Sequence, residues 1–386
     1  MNNSLTRFLL LVSSIFIFLF EMVEMFPASD DAIFSSTFII AIPTVLFLSY
    51  LILYFQRNRT TKREGYLVSF TALVFGIYIS SLLCGGLTSA FQTTAQYLSV
   101  ILPIFVLWGT NGHSEQNYDF TIKCICIIFI GLAFFFFSNY SIHVFDELES
   151  QNNGAYTLLY FLPFILCLKK EYMRIVGMAI VLAALLFSLK RGGLLAFALA
   201  ILIYWAVNTF SYSGKKFGLW QFVLSALVVV GFVYFYIYFD QMTGNLLSTR
   251  FQSWQDDGGS GRLDTYPVVW SHIKESSIIN LIFGHGLDAV RMQCGMGRSA
   301  HNDFLEILYD FGVVVFSVYI VFYINLFKVV KRLIKKRSFY AAPLSATFVL
   351  FVTNSMVSHI IYYPKYAVLF ALFFGLISVP IYKEIR

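Results

Sequence analysis

Residues 299–303, Ser-Ala-His-Asn-Asp, contain the side chain of this sequence best suited to proton transfer. They open an apolar stretch that predicts a helix, which Asn302 or Asp303 can cap, and Glu306 can join Asp303 in a capping box. His301 then lies just before the helix N-terminus. The positive end of the helix dipole disfavours imidazolium there and favours a neutral ring that can act as a base. A histidine at the start of a helix can equally be structural, and the pattern alone leaves both interpretations open.

The turn Lys190-Arg191-Gly192-Gly193 combines two basic side chains with two glycines. The planar guanidinium of Arg191 could bind a phosphate through two parallel hydrogen bonds, and Lys190 would add a point charge. The two glycines would let a ligand approach the backbone closely. The alternative interpretation is that both basic side chains only extend to the membrane interface.

A glycine-rich run at 256–261 ends in Arg262. After it, apolar residues recur at helical spacing over 265–277, with Pro267 in the expected first turn. The pattern is amphipathic, so it predicts a helix on the outer membrane surface with Trp270 at the level of the lipid headgroups. Arg262 is then either a ligand for an anion or a solvated loop charge.

Three further residues could contribute to the same site. Arg291 and Arg298 lie between Arg262 and His301, and His359 lies near the predicted outer end of a later apolar stretch. His359 could therefore face the same cavity as His301. The alternative is an interfacial histidine among aromatic residues.

The composition requires a lipid environment around the elements that position these residues. Of the 386 residues, 58% are hydrophobic, 19% aromatic and only 12% charged, whereas soluble domains are about 25% charged. The apolar runs are continuous and do not alternate with polar residues, which favours helices over a barrel. We therefore predict an all-α, polytopic integral membrane protein with about twelve transmembrane helices. The spans are expected near 6–25, 33–55, 66–84, 94–110, 120–138, 154–169, 172–189, 192–210, 218–239, 303–327, 340–361 and 364–382.

The distribution of Lys and Arg orients these spans, because cytoplasmic loops are enriched in both. If the dense basic run at 328–337 is cytoplasmic, alternation places most of the 27 Lys and Arg on the same side. The chain then divides into helices one to nine (1–239), a large outer loop with short helices (240–302) and helices ten to twelve (303–386). Basic residues that remain outside, around 190–191 and in the loop, oppose the general bias. An anionic ligand is the simplest reason for them.

Several kinds of site are not indicated by the sequence. There is no G-x-G-x-x-G, P-loop, H-E-x-x-H or Asp-rich metal motif, and Gly284-His285-Gly286 is a lone G-x-G that predicts a turn. We therefore expect neither a metal nor a cofactor. Because most basic residues mark inner loops, no nucleic-acid partner is expected either. The five cysteines lack metal-ligand spacing; Cys84 and Cys294 fall on the outer side, and whether they pair is left open.

The spacing around His301 resembles a known family. His301-Asn302, nine residues, Gly312, two residues and Val315 fit the pattern H-[NSQ]-x9-G-x2-[GTV] of the O-antigen ligase and polymerase superfamily. The segment Ser260-Gly261-Arg262, followed by Trp270 and the turn at 284–286, is similar to that superfamily's large periplasmic loop. The layout of twelve spans with this loop between the ninth and tenth also resembles the family.

The resemblance implies an inverting, metal-independent glycosyltransferase in the bacterial inner membrane, with an active site that faces the periplasm. Its donor and acceptor would be glycans linked to undecaprenyl pyrophosphate, and a chain-length regulator protein would be a further partner. Arg191 and Arg262 match the family's paired arginines and would bind the pyrophosphate, and His301 would be the general base. The remaining candidates, for substrate binding, are Lys190, Arg298, Arg291 and His359.

Two members of the superfamily, and one other class of protein, fit the sequence. A polymerase is favoured by the Lys190-Arg191-Gly192 turn and by the abundance of Phe, Tyr and Ile. A ligase, which transfers the finished glycan to lipid A–core, is the alternative, because the histidine motif is usually written for ligases. A flippase or transporter is less favoured, because such proteins usually place ionisable residues near the bilayer midplane.

Overall fold

The computed structural model describes residues 65–84, 115–143, 154–188, 190–212, 258–361 and 364–385, and isolated positions within 7–18 and 234–248. These residues are helical or lie in turns, and none of them forms a strand. The helices are α1 (Gly65–Cys84), α2 (Glu115–His143), α3 (Gly154–Tyr160), α4 (Leu162–Leu166), α5 (Glu171–Phe187), α6 (Arg191–Val207), α7 (Gly258–Glu275), α8 (Ile278–Phe283), α9 (Ala289–Gln293), α10 (Asp303–Lys335), α11 (Ala341–Val357) and α12 (Pro364–Ile385).

Four of the described helices are long and apolar enough to cross a membrane, namely α1, α2, α6 with its π-helical extension, and α10. Shorter apolar helices lie at Gly154–Leu166, Ala341–Val357 and Tyr366–Ile381. The all-helical membrane character predicted from composition is thus confirmed. The predicted spans near 6–25, 33–55, 94–110 and 218–239 lie wholly or mostly outside the described residues, so the count of twelve stays a prediction.

Helix α10 is longer than the predicted span 303–327. It has 33 residues and is broken at Gly312, whose φ of 77° and ψ of 176° are not helical. A perpendicular crossing needs only about 20 residues, so the residues after the break are sufficient to span the bilayer. The residues before it are therefore free to serve as a platform for the outer loop.

Two further differences from the predicted elements involve proline residues. The predicted span 154–169 is divided into α3 and α4, and Pro163 lies in the first turn of α4, where its missing N–H is tolerated. Helix α7 begins at Gly258, so Pro267 lies inside it and not in its first turn as predicted. Residues 258–261 of the glycine-rich run are accordingly part of a helix, and Arg262 is a helical residue.

Aromatic side chains join the helices that carry the site. Phe322 of α10, Phe351 of α11 and Phe374 of α12 pack together, with the Phe322 and Phe374 ring centroids 5.5 Å apart. The hydroxyl of Tyr66 on α1 donates to the carbonyl of Phe374 at 3.2 Å. Van der Waals packing and interhelical hydrogen bonds of this kind hold helices together in lipid, where the hydrophobic effect adds little.

Helices α7 and α9 form a second, smaller apolar cluster on the first part of α10. Val269 and Ile273 of α7 and Val290 of α9 pack with Tyr309 of α10. Trp270 points away from this cluster and is 46% exposed. The loop is thus folded against the end of α10 that begins at His301, which brings Arg262 towards this histidine.

Candidate functional site

His301 has a backbone conformation that is uncommon for residues other than glycine. Its φ is 54°, in the left-handed region that non-glycine residues seldom adopt. Asn302 caps α10, because its side-chain oxygen accepts hydrogen bonds from the amides of Phe304 at 3.0 Å and Leu305 at 3.3 Å. Of the two predicted caps, Asn302 is therefore the one used.

Glu306 holds the chain in place before this cap. One of its carboxylate oxygens, Oε1, accepts hydrogen bonds from the amides of Ala300 and His301, the latter at 3.2 Å. Glu306 itself is buried, with 1% of its surface exposed. The left-handed turn at His301 is thus maintained by a buried carboxylate from the first turns of the helix that follows it.

Asp303 connects the start of α10 to the segment after α11 and is not a cap. Its Oδ2 accepts hydrogen bonds from the Ser355 hydroxyl at 3.0 Å and from the amides of Ile360 and Ile361 at 2.9 and 3.3 Å. These bonds fix residues 358–361 beside His301. The structure therefore brings His359 to His301 although 58 positions separate them in the chain.

The two histidines lie ring against ring. Their centroids are 4.8 Å apart and their planes are inclined by 43°. His359 is completely buried, and its Nδ1 lies 3.6 Å from Oδ1 of Asp303 and 3.4 Å from Oε2 of Glu306. His359 thus lies beneath His301, between it and two carboxylates, and not on an open surface.

The surroundings of His301 keep its ring uncharged. Burial, and after it the charges of His359, Arg262, Lys190 and Arg298, together lower the pKa of His301 to about 4. The neutral ring predicted from the helix dipole is therefore also favoured by desolvation and neighbouring cations. At neutral pH, His301 can accept a proton.

Arg262 has the clearest capacity to bind an anion. Its Nε is buried and donates no hydrogen bond among the residues that the structure describes. Buried polar groups are nearly always hydrogen-bonded, so this nitrogen is a candidate ligand for a group that enters from outside the protein. Lys190 and Arg298 lie close enough to His301 to act on its pKa, and they would add positive charge to the same space.

The glycines beside Lys190 have a packing role in this structure. A Cβ on Gly192 would lie 3.1 Å from the Tyr156 hydroxyl, and one on Gly193 would lie 2.7 Å from Leu185. The predicted close approach is therefore made by the protein's own side chains. Arg191 is the first residue of α6, directly after Lys190, at the positive end of a 17-residue helix.

Arg291 has a partner at the start of its own short helix, and the two cysteines predicted on the outer side do not pair with each other. Arg291 is exposed on α9, and its Nε donates to Asp288 at 2.6 Å, so the structure gives this residue a local partner. Cys84 and Cys294 are free thiols. Among the described residues, no group of three or more His, Cys, Asp or Glu side chains is arranged to hold a metal ion.

The turn at 284–286 supports the break in α10. The amides of His285 and Gly286 donate to the carbonyl of Asp310 at 3.0 and 2.8 Å, which satisfies an acceptor near the break. A Cβ on Gly284 would overlap with the Asp310 carbonyl, and one on Gly312 would overlap with the Ile282 carbonyl. The turn is confirmed, and Gly312 of the histidine motif is required for close backbone packing.

The sequence contained a signal for the buried carboxylates that was not used. Asp303, Glu306 and Asp310 lie within eight residues at the start of a predicted transmembrane helix. Ionisable residues in such helices are costly to bury and are usually paired or functional. Their spacing alone indicated a polar network, whereas treating two of them as capping residues missed it.

A comparison with known protein families gives a match over part of the chain. Residues 176–320 match a protein family described as O-antigen ligase. No curated protein matches the chain. The match runs from α5 into α10 and supports a place in the O-antigen ligase and polymerase superfamily of glycosyltransferase-like membrane enzymes. It includes every candidate site residue except His359.

Proposed function

We propose that the protein polymerises O-antigen repeat units, transferring a glycan from undecaprenyl pyrophosphate to the hydroxyl of an acceptor sugar. The supporting observation is the neutral His301, which is gathered with Arg262, Lys190 and Arg298 at the start of α10. A base next to cations suits a reaction in which a hydroxyl loses a proton while a pyrophosphate leaves. The proposed location is the periplasmic face of the bacterial inner membrane.

His301 would act on the acceptor. A sugar hydroxyl is a weak nucleophile, so a positioned base accelerates its attack. As the hydroxyl oxygen forms a bond to the anomeric carbon of the donor, its proton passes to the ring of His301. The bond between the anomeric carbon and the pyrophosphate oxygen breaks, the pyrophosphate leaves with the electron pair, and the anomeric configuration inverts.

The arginines would act on the donor. The buried Nε of Arg262 is available to a phosphate oxygen, and Lys190 and Arg191 at the start of α6 would offset charge that develops on the leaving group. Arg298, next to His301, is proposed to bind the outer part of the substrate. For Arg291 the same role is proposed, and it would require the ion pair with Asp288 to open. The mechanism uses no metal or cofactor.

A ligase that transfers the finished glycan to lipid A–core is the second candidate, since the matched family is described as O-antigen ligase. Both enzymes would perform the same transfer and differ in the acceptor. The polymerase is preferred for the Lys190-Arg191-Gly192 turn and the Phe-, Tyr- and Ile-rich composition. Its partners would be the lipid bilayer, the lipid-linked donor and acceptor, and a chain-length regulator protein.

Reconstitution in liposomes tests the proposal. Purified protein is given a lipid-linked repeat unit, alone or with lipid A–core, and released undecaprenyl pyrophosphate and glycan length are measured. A polymerase lengthens the lipid-linked glycan without lipid A–core, and activity should persist in EDTA. Transfer that requires lipid A–core would indicate the ligase, and a change of leaflet without release would indicate a flippase. Strong inhibition by EDTA would contradict the metal-free mechanism.

The surface glycan of a deletion strain provides a second test in cells. Loss of a polymerase leaves core that carries a single repeat unit. Loss of a ligase leaves bare core, with polymer retained on the carrier lipid. The second result would replace the proposed reaction with its alternative.

A further inference from the structure

The two carboxylates beneath His301 are arranged in the same way. Each uses one oxygen to hold backbone amides: Oδ2 of Asp303 binds Ile360 and Ile361, and Oε1 of Glu306 binds Ala300 and His301. The other oxygens, Oδ1 of Asp303 and Oε2 of Glu306, are buried and accept no hydrogen bond among the described residues. Both of these lie within 3.6 Å of Nδ1 of His359.

His359 therefore has the two carboxyl groups on one side and His301 on the other. Its Nδ1 faces the carboxylates, and its ring packs against His301 at 4.8 Å between centroids. Packing alone would be satisfied by any aromatic residue in this place. A fully buried imidazole directed at two buried carboxylates is costly to maintain, so a role for its nitrogen is the better explanation.

We infer that His359, held by Asp303 and Glu306, is the positioning residue for His301. This inference rests on the proposed function, because it assigns His301 the part of the base. Bases in enzymes are commonly oriented by a third group. Here Glu306 would fix both components, through the backbone of His301 and through the ring of His359.

The groups around His301 and His359 determine which properties should change when His359 is removed. The pKa of His301 is lowered by His359, Arg262, Lys190 and Arg298, and its backbone amide donates to Glu306. His359 faces Asp303, Glu306 and His301. Removing His359 would thus loosen the ring of His301 and remove one of the influences that lower its pKa. Arg262 and the binding of pyrophosphate would be unaffected.

The test measures kcat, KM for the lipid-linked donor and the pH profile of the reconstituted enzyme with His359→Gln and His359→Phe. For both variants kcat should fall about 10- to 100-fold, the range typical of residues that orient a functional group. KM should stay within about twofold of the wild-type value. The acid limb of the pH profile should move to higher pH, which loss of packing alone would not cause. His272→Gln, in α7 of the same loop, is the matched control and should leave kcat, KM and the acid limb unchanged.

Two results would overturn the inference. If His359→Phe keeps the wild-type kcat, the ring of His359 serves packing only. If His359→Gln keeps the wild-type kcat and acid limb, His359 does not act on His301. Should His359→Gln fail to reach the membrane, Glu306→Gln carries the same test, because its amide oxygen can still accept from Ala300 and His301. An inactive wild-type protein with either acceptor would refute the proposed function instead.

Discussion

The two ends of α10 share one backbone feature for different reasons. Arg337, just after the helix, and His301, just before it, both have a φ of 54°. At Arg337 the helix ends in the usual way: the amides of Arg337 and Ser338 donate to the carbonyls of Ile334 and Leu333 at 3.0 and 3.1 Å. A left-handed residue is ordinary there. At His301 no such local motif applies, and the conformation depends on Glu306.

The charges at these two ends differ in the same way. The basic residues from Lys328 to Arg337 are exposed, and Lys331 rests over the Phe327 ring at 5.0 Å. The carboxylates of Asp303 and Glu306 are buried and have defined partners. Exposed charges at a helix end need only the right sign, whereas buried carboxyl groups need particular atoms in particular places. The burial of an ionisable group is thus a better sign of function than its presence.

An asparagine substitution at His301 and at Arg337 should give the largest difference in glycan elongation between the two ends of α10. Asparagine tolerates this conformation, so His301→Asn removes the base with little strain in the backbone. Glycan elongation should fall about 10²- to 10⁴-fold, the usual contribution of a general base. Arg337→Asn should leave elongation within about twofold. Both are measured as undecaprenyl pyrophosphate released per unit of membrane protein, and normal elongation by His301→Asn would remove the assigned base.

Several parts of this arrangement could be predicted from sequence. Continuous apolar runs and few charges were sufficient for an all-helical membrane protein. The spacing from His301 to Val315 indicated the family that residues 176–320 match. Local chemistry near a helix start likewise limited the cap to Asn302 or Asp303.

Other parts depend on contacts that local patterns do not encode. The bonds from Asp303 to Ile360 and Ile361 cross 57 and 58 positions, so the depth of His359 and its carboxylate partners could not be derived from spacing. The need for Gly312 is tertiary in part: its φ of 77° disfavours a side chain by itself, and a Cβ there would also overlap with the backbone of Ile282 and Gly284. Helix α7 begins at Gly258 although glycine has a low helix propensity, so this start could not be predicted from composition.

The glycine of the histidine motif allows packing to be separated from conformational strain. Gly312 and Gly295 have φ values of 77° and 71°, but a Cβ on Gly295 would have no atom within 4 Å. Gly295→Ala should cost only the strain of a left-handed alanine, about 1–2 kcal/mol. Gly312→Ala should cost clearly more, because the backbone of Ile282 and Gly284 must also move. Thermal unfolding in detergent measures both, and equal losses would show that the close contact adds nothing.

Charge-conserving substitutions should again separate the two regions, with a moderate effect at Arg262 beside His301 and no effect at the basic end of α10. Lys331→Arg together with Lys335→Arg keeps two exposed positive charges, so topology and elongation should remain at the wild-type level. Arg262→Lys also keeps its charge, but it removes the planar guanidinium and the buried Nε that are proposed to bind phosphate. Elongation should then fall at least about tenfold, since lysine cannot reproduce the paired hydrogen bonds of arginine. The readout is the glycan ladder from cells with equal amounts of membrane protein. A full ladder with Arg262→Lys would show that this end, like the other, needs only positive charge.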